Sequence, residues 1–183
     1  MDGHFYALLA RMRYIQRWAL MRNTEPENIQ EHSHMVAILA HALALLQNKH
    51  FGGHIDPGQA VLLALYHDAT EILTGDLPTP IKYYNPALRA SYKEVEETAA
   101  NRLLELLPEE LRGDYAPYLL HPDPELEAVV KAADKLDAYL KCVKERKAGN
   151  GEFQTAQVQI WDALQANPLP ALGYFIQHYL PSF

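Results

Sequence analysis

Apolar residues recur at steps of three and four along almost the whole chain, and no stretch alternates apolar and polar residues as a half-buried strand does. That periodicity restricts the chain to an all-α architecture. Helices are expected near 4–21, 27–48, 57–73, 86–107, 109–119, 123–147, 151–166 and 169–180. The breaks carry turn chemistry: "HFGGHIDPG" closes the second helix, Pro57 suits the first turn of the third, and "TGDLPTP" ends it. No repeat, low-complexity tract or long linker divides the chain, so residues 1–183 are expected to form one domain. A chain of this length buries roughly 70% of its unfolded surface without help from disulfides or a structural metal.

One stretch resists that simple scheme. The most apolar run, "AVLLALY" at 60–66, leads straight into His67, Asp68 and Glu71. On a helix His67 and Glu71 share a face, with Asp68 about 100° round. The other sides carry Val61, Leu62, Leu63, Leu65, Ile72 and Leu73, and a helix apolar nearly all round is expected to be buried. Burying unpaired carboxylates costs several kcal/mol each. An arginine or lysine offsets part of that cost, with Arg13, Arg17 and Lys82 as candidates. A divalent ion beside His67 does so more completely for Asp68, because imidazole nitrogen with carboxylate oxygen is a common ligand set for such ions.

Helical geometry also selects one histidine from "ENIQEHSHMVAILAHALALL". With His32 at the origin, Val36, Leu39, Leu43 and Leu46 fall within about 40° of it, whereas His34 and His41 fall on the opposite face. His32 therefore faces the core. A lone core histidine is most often hydrogen-bonded to a carbonyl, but an inward histidine on a second helix is also what a metal site beside His67 and Asp68 requires. A further carboxylate is available in "LEAVVKAADKLDAYLKCV". Its apolar face runs through Val129, Ala133, Leu136, Leu140 and Val143, and periodicity does not choose between Asp134 and Asp137. Either, read plainly, is a solvated acid paired with Lys131, Lys135 or Lys141, an arrangement worth little.

These residues carry a resemblance. A distant His, an adjacent His-Asp pair and an Asp after "KAA" resemble the pattern of the HD-domain metal-dependent phosphohydrolases. "RWALMRN", "ENIQEHSHMVA", "YHDATEILTGDLPTPIKYYN" and "VKAADKLDAYLKC" are similar to the bacterial 5′-deoxynucleotidases of that superfamily, and the likeness extends to the terminal "YLPSF". The resemblance implies an all-α HD-domain helical bundle, a homodimer and one divalent cation, with Co2+ or Mn2+ expected to support activity in vitro. It implies His32, His67, Asp68 and Asp134 as metal ligands, which resolves the choice that periodicity left open. The implied reaction is hydrolysis of a deoxynucleoside 5′-monophosphate to deoxynucleoside and phosphate.

Roles follow from the same resemblance. Asp68 orients the attacking water and Glu71 acts on water or on the leaving oxygen as acid and base. Arg17 holds the phosphate, for which a planar guanidinium is suited. Trp18 packs against the sugar and leaves no room for a 2′-hydroxyl. Asp76, Leu77, Pro78 and Thr79 form a wall beside sugar and phosphate, with Asp76 accepting from the 3′-hydroxyl. His32, Asp68 and Asp134 border the substrate as well as the ion. The plain alternatives are a core ion pair for Glu71, an exposed helix arginine for Arg17, a core tryptophan for Trp18 and an ordinary turn for "GDLPTP".

Composition excludes other classes. A net charge of −7 argues against a nucleic-acid or anionic-membrane surface. No run approaches the ~20 apolar residues of a membrane span, and the charge-interrupted N-terminus is not expected to act as a signal peptide. The single Cys142 fits a reducing cytoplasm. Triphosphate, cyclic-nucleotide and guanosine tetraphosphate hydrolysis remain rival reactions of the superfamily, and a nucleotide-sensing module or a helical interaction protein are the rivals outside enzymes. A triphosphate site needs more cations than Arg17 and Lys82 supply.

Overall fold

The computed structural model describes residues 4–78 and 85–183. Among these residues the chain is helical, without strands: α1 His4–Leu9, α2 Ile29–Phe51, α3 Pro57–Tyr66, α4 Glu71–Thr74, α5 Pro86–Glu105, α6 Glu109–Leu119, α7 Pro124–Lys147, α8 Gln154–Gln165 and α9 Pro170–His178, with short 3₁₀ turns at Met12–Tyr14, Gly151–Phe153 and Leu180–Ser182. The all-α expectation holds.

The long α2 organises the rest, packing against α3, α7 and α9. Its start is written into the sequence. The Asn28 side chain accepts hydrogen bonds from the backbone amides of Gln30 and Glu31, and the Asn28 amide in turn donates to the Glu31 carboxylate. Gly52 ends the helix in the left-handed region, at φ 70°. Asp56 and Asp123 cap α3 and α7, each side chain accepting from two backbone amides and each followed by proline at the first helical position. Val36, Leu39 and Leu43 of α2, Leu63 of α3, Val129, Leu136 and Leu140 of α7 and Leu172 of α9 form the main core. Each such side chain contributes about 1.5–3 kcal/mol on burial. A smaller cluster of Phe5, Ala69, Leu103, Leu104 and Leu107 sits under the turn that follows α3.

Two expected helices are shorter than their periodicity suggests. The helix expected over 4–21 stops at Leu9, makes a 3₁₀ turn, and then runs extended so that Gln16 forms an isolated antiparallel bridge with Asn28. Trp18 follows in the left-handed region at φ 59°. Such a backbone costs about 1–3 kcal/mol and persists only where surrounding bonds fix it. Here the Met21 amide and the Asn23 side chain both donate to the Trp18 carbonyl.

The helix expected over 57–73 is interrupted at the His-Asp pair. Residues 67–70 are a turn between α3 and α4. The backbone bonds tighten there, with Ala69 donating to Tyr66 at 3.0 Å and Glu71 to Asp68 at 3.0 Å. Glu71 therefore opens a separate short helix, α4, one tightened turn beyond Asp68. Nor is α3 buried on all sides: Leu62 and Leu65 are each 37% exposed. Apolar composition alone overestimated its burial, because nothing among the described residues covers that face.

Candidate active site

The three histidine and carboxylate residues singled out from two different helical segments do meet. One ligand atom each from His32, His67 and Asp68 lies within 4.8 Å of the others, a group placed to hold a metal ion. His32 comes from the first turns of α2, and His67 and Asp68 from the tightened turn after α3. Asp68 Oδ2 is 3.2 Å from His67 Nε2 and 3.5 Å from His32 Nε2. From α7, Asp134 Oδ1 comes within 3.1 Å of His32 Nε2. Asp134 is thus the α7 carboxylate on the Nε2 side.

Both imidazoles have their tautomers set from behind. His67 Nδ1 donates to the Ala64 carbonyl at 2.7 Å. His32 Nδ1 lies 2.6 Å from Asp137 Oδ2, so that N–H is directed at a carboxylate. In each ring the Nε2 atom is the one turned to the cluster, and both Nε2 atoms are buried without a hydrogen bond. Buried polar atoms are seldom left so. Two Nε2 lone pairs facing carboxylates fit a divalent cation, and the backing of each imidazole by a carbonyl or carboxylate is the usual support for such a ligand.

Asp137 therefore backs His32, a placement that helical counting did not separate from that of Asp134. It is 5% exposed, not a solvated acid. Two of the three lysines expected to pair with these aspartates pair elsewhere: Lys131 with Glu127 at 2.7 Å and Lys141 with Glu145 at 2.6 Å. The available signal was its register, nearer the apolar stripe than Asp134.

Charge in the cluster is arranged around the same atoms. Burial disfavours a proton on His32, as does Arg17, but Asp134, Asp137 and Asp68 outweigh both and lift its pKa to about 9. Burial works to raise Asp68, yet His67 and His32 bring it down to about 2. Asp134 is also held well below the usual carboxylate range: burial opposes this, and His32, His67 and Arg17 prevail.

These shifts predict a pH signature in protein stripped of metal. The raised His32 pKa stabilises the fold fully below its unfolded value of 6.5, and that stabilisation is lost as pH rises to about 9. It amounts to something on the order of 3 kcal/mol. The lowered Asp68 pKa stabilises above 3.8 and is lost as pH falls toward 2. Chelated protein should thus melt highest between pH 3.8 and 6.5 and progressively lower toward pH 9. Cation affinity should climb over that same upper span, because ligation requires the His32 proton to leave. Thermal melts of chelated and metal-loaded protein across roughly pH 5 to 10 measure both trends. A melting temperature of the chelated form that stays flat through this range would contradict them.

Arg17 reaches the site from the loop before α2, with Trp18 next to it in the chain. The Arg17 guanidinium lies 4.0 Å from Asp134 and 3.9 Å from Asp137, and Glu27 grips it at 2.7 Å. Burial would lower its pKa, but Glu27 and the aspartates raise it, so the charge is secure. Trp18 is half-buried, its indole N–H donating to the same Glu27 oxygen at 3.1 Å and its ring 5.3 Å from Phe153. Arg17 is thus no exposed helix arginine. Arg13, weighed as a counter-cation for the buried acids, instead donates to the Ala10 carbonyl.

Glu71 opens α4 and is 8% exposed. Asp76, Leu77 and Pro78 follow Gly75 and are half-buried. Thr79 and Lys82 lie outside the described residues.

The loop that carries Arg17 and Trp18 is tied to α7 by a second buried cluster that the sequence did not reveal. Glu145, 1% exposed, accepts from the Thr24 amide and hydroxyl, from Asn150 and from Lys141. Burial opposes its charge, but these donors hold its carboxyl far below the usual range. Lys141 also donates to the Glu25 carbonyl. An i, i+4 lysine–glutamate pair looks like a solvated helix pair in sequence, and only the packing of residues 22–27 over it makes it a buried anchor.

Comparisons with known proteins show the family and the fold of the chain. A family model described as 5′-deoxynucleotidase YfbR-like matches residues 4–183. A 5′-deoxynucleotidase from Vibrio parahaemolyticus is 52% identical over 184 residues, covering 100% of this chain and 95% of that protein. Among solved structures, an HD-domain phosphohydrolase from Listeria innocua superposes with a TM-score of 0.85 at 22% identity, over 98% of this chain and 87% of its own. A cyanophage S-2L HD phosphohydrolase, solved with dA and one catalytic Zn2+ ion, gives a TM-score of 0.66 at 22% identity and covers both chains fully. At this identity the two structures speak for the fold.

Proposed function

We propose, since the chain belongs to the YfbR-like 5′-deoxynucleotidase family, that it hydrolyses deoxynucleoside 5′-monophosphates to deoxynucleoside and phosphate with the help of one divalent cation. The observation that carries the reading is the convergence of His32, His67 and Asp68, with two buried imidazole Nε2 atoms facing carboxylates. His32, His67, Asp68 and Asp134 are the proposed ligands. When bound, such an ion supplies positive charge beside the phosphoryl oxygens and lowers the pKa of water.

The chain's own groups do the rest. Arg17, fully charged and turned toward Asp134, takes a phosphate oxygen pair in the planar contact that a guanidinium favours. That contact holds the phosphorus in line between the incoming water and the leaving 5′-oxygen. Asp68, ionised and backed by both histidines, orients the water as its oxygen bonds to phosphorus. Glu71 takes up a proton from that water or delivers one to the 5′-oxygen as the P–O bond breaks. Trp18 lies against the sugar, and Asp76, Leu77 and Pro78 form the wall beyond it, with Asp76 accepting from the 3′-hydroxyl. A 2′-hydroxyl would meet the indole.

Among the described residues no helix is long and apolar enough to cross a membrane. A cytoplasmic homodimer completes the proposal. Cys142 is buried and free, and burial pushes its thiol up to about 12, so it suits a reducing compartment as an inert core residue.

A phosphate-release screen over deoxy- and ribonucleotides with Co2+, Mn2+, Mg2+ and Zn2+ tests the reading. Chelation should abolish release, and Co2+ or Mn2+ should restore it. Deoxynucleoside 5′-monophosphates should turn over far faster than their ribonucleotide counterparts, with little preference among bases. Equal rates on both sugars would end the substrate assignment, and activity that survives chelation would end the metal assignment. Tight nucleotide binding with no turnover under any metal would favour a sensing module.

A further inference from the structure

We propose that Glu27 is a positioning residue that sets phosphate binding and sugar discrimination together, an inference that rests on the functional reading above. One carboxylate oxygen, Oε2, accepts from Arg17 Nη1 at 2.7 Å and from Trp18 Nε1 at 3.1 Å. These are the group assigned to the phosphate and the group assigned to the sugar. They are adjacent in sequence, and adjacent side chains on extended backbone point apart. The left-handed Trp18 backbone brings both to one acceptor instead. The main chain reinforces the arrangement, because the Arg17 amide donates to the Glu27 carbonyl at 2.9 Å and the Ile29 amide to that of Ile15.

Glu27 also decides where the Arg17 charge goes. Asp137 and Asp134 stand 3.9 and 4.0 Å from the guanidinium, just beyond hydrogen-bond reach. Without Glu27, Arg17 is drawn onto these carboxylates. It would then neutralise the groups that back and accompany His32, and its donors would turn from the phosphate. With Glu27 holding Nη1, the Nη2 edge stays toward Asp134, the side on which the phosphate is proposed to sit. The indole, pinned at its nitrogen and resting on Phe153 at 5.3 Å, cannot swing away from a 2′-hydroxyl. Glu27 touches neither substrate nor ion in this arrangement and acts through its two partners.

Glu27→Ala and Glu27→Gln, assayed as metal-loaded full chains beside the native protein, test this. Glu27→Ala should bind metal as the native chain does. Its KM for a deoxynucleoside 5′-monophosphate should rise about tenfold or more, the scale of one charge-assisted hydrogen bond. Its preference in kcat/KM for deoxy over ribo substrate should fall by a similar factor. Glu27→Gln keeps a neutral oxygen for the indole but no charge for the guanidinium, so it should recover most of the sugar preference while KM stays raised. A purely structural role would lower both substrates in parallel and leave the preference at its native value, and that result overturns the proposal. So do native KM and native preference in both variants. The parallel-loss criterion applies to Glu27→Ala. If the alanine variant does not fold, the glutamine variant decides by its split of KM and kcat. A raised KM with native kcat and native metal content supports the role. An unchanged KM, or a fall in kcat and melting temperature in place of a raised KM, refutes it. Native, metal-loaded protein that releases no phosphate from any deoxynucleotide defeats the functional reading itself, and the inference falls with it.

Discussion

Glu71→Ala is expected to keep its fold, its metal and its nucleotide affinity and to lose about 10²–10⁴-fold in kcat, the usual contribution of a general acid–base group. The expectation starts from position. Glu71 opens α4 one tightened turn beyond Asp68, is 8% exposed, and is not among the proposed ligands. A group that moves a proton as the phosphorus–oxygen bond breaks acts mainly in the transition state. Its loss then lowers kcat and kcat/KM together and leaves ground-state binding largely intact. The competing account makes Glu71 half of a buried ion pair. Removing it would then strand a charge and destabilise the fold by about 3–5 kcal/mol. Thermal unfolding, metal content and turnover measured on one preparation separate the two. A variant that melts much lower and keeps near-native kcat is structural at this position, and proton transfer would then have to be assigned elsewhere.

The two aspartates of α7 should fail differently. Asp134→Ala is expected to lose bound metal and, with it, turnover altogether, because it removes the carboxylate 3.1 Å from His32 Nε2. Sequence reasoning alone expects Asp137→Ala to retain its metal untouched. The structure alters that: Asp137 holds the Nδ1 proton of His32 at 2.6 Å, and losing it frees both the tautomer and the ring. Partners of this kind typically change metal affinity by about 10–100-fold. Asp137→Ala should therefore still load at saturating cation but titrate with weakened affinity, and recover activity when cation is raised. Asp137→Asn, which keeps a hydrogen-bond acceptor, should fall between it and the native chain. Metal titration against a competing chelator, with turnover measured at each point, checks this. Equal metal content and equal affinity in the two alanine variants would defeat the ligand assignment.

Much of the site was legible because its residues break the pattern around them. His32 lies on an apolar stripe, and His67 and Asp68 end the most apolar run in the chain, so each stood out against the periodicity that placed it. Asp134 and Asp137 did not stand out. Three residues apart on α7, they differ in role only through what faces them, Nε2 of His32 for one and Nδ1 for the other. Glu27 carries no local signal at all. It reads as an acid ahead of a helix cap, and its two partners lie 9 and 10 residues upstream.

By itself the sequence determined the helical architecture, the proline that opens α3, and the identity of the inward histidine. These depend on spacing along one segment and on bonds between residues two to four apart, which local composition encodes directly. Only the tertiary structure decided where α1 and α3 stop, which aspartate backs His32, and how the Lys141–Glu145 pair and Glu27 hold the loop that carries Arg17 and Trp18. Each of those outcomes is a contest between a local preference worth a few tenths of a kcal/mol per residue and buried, charge-assisted contacts worth about 1.5–3 kcal/mol each. Where partners lie far apart in sequence, the larger contribution exists only once the chain has folded, and no reading of a single segment contains it.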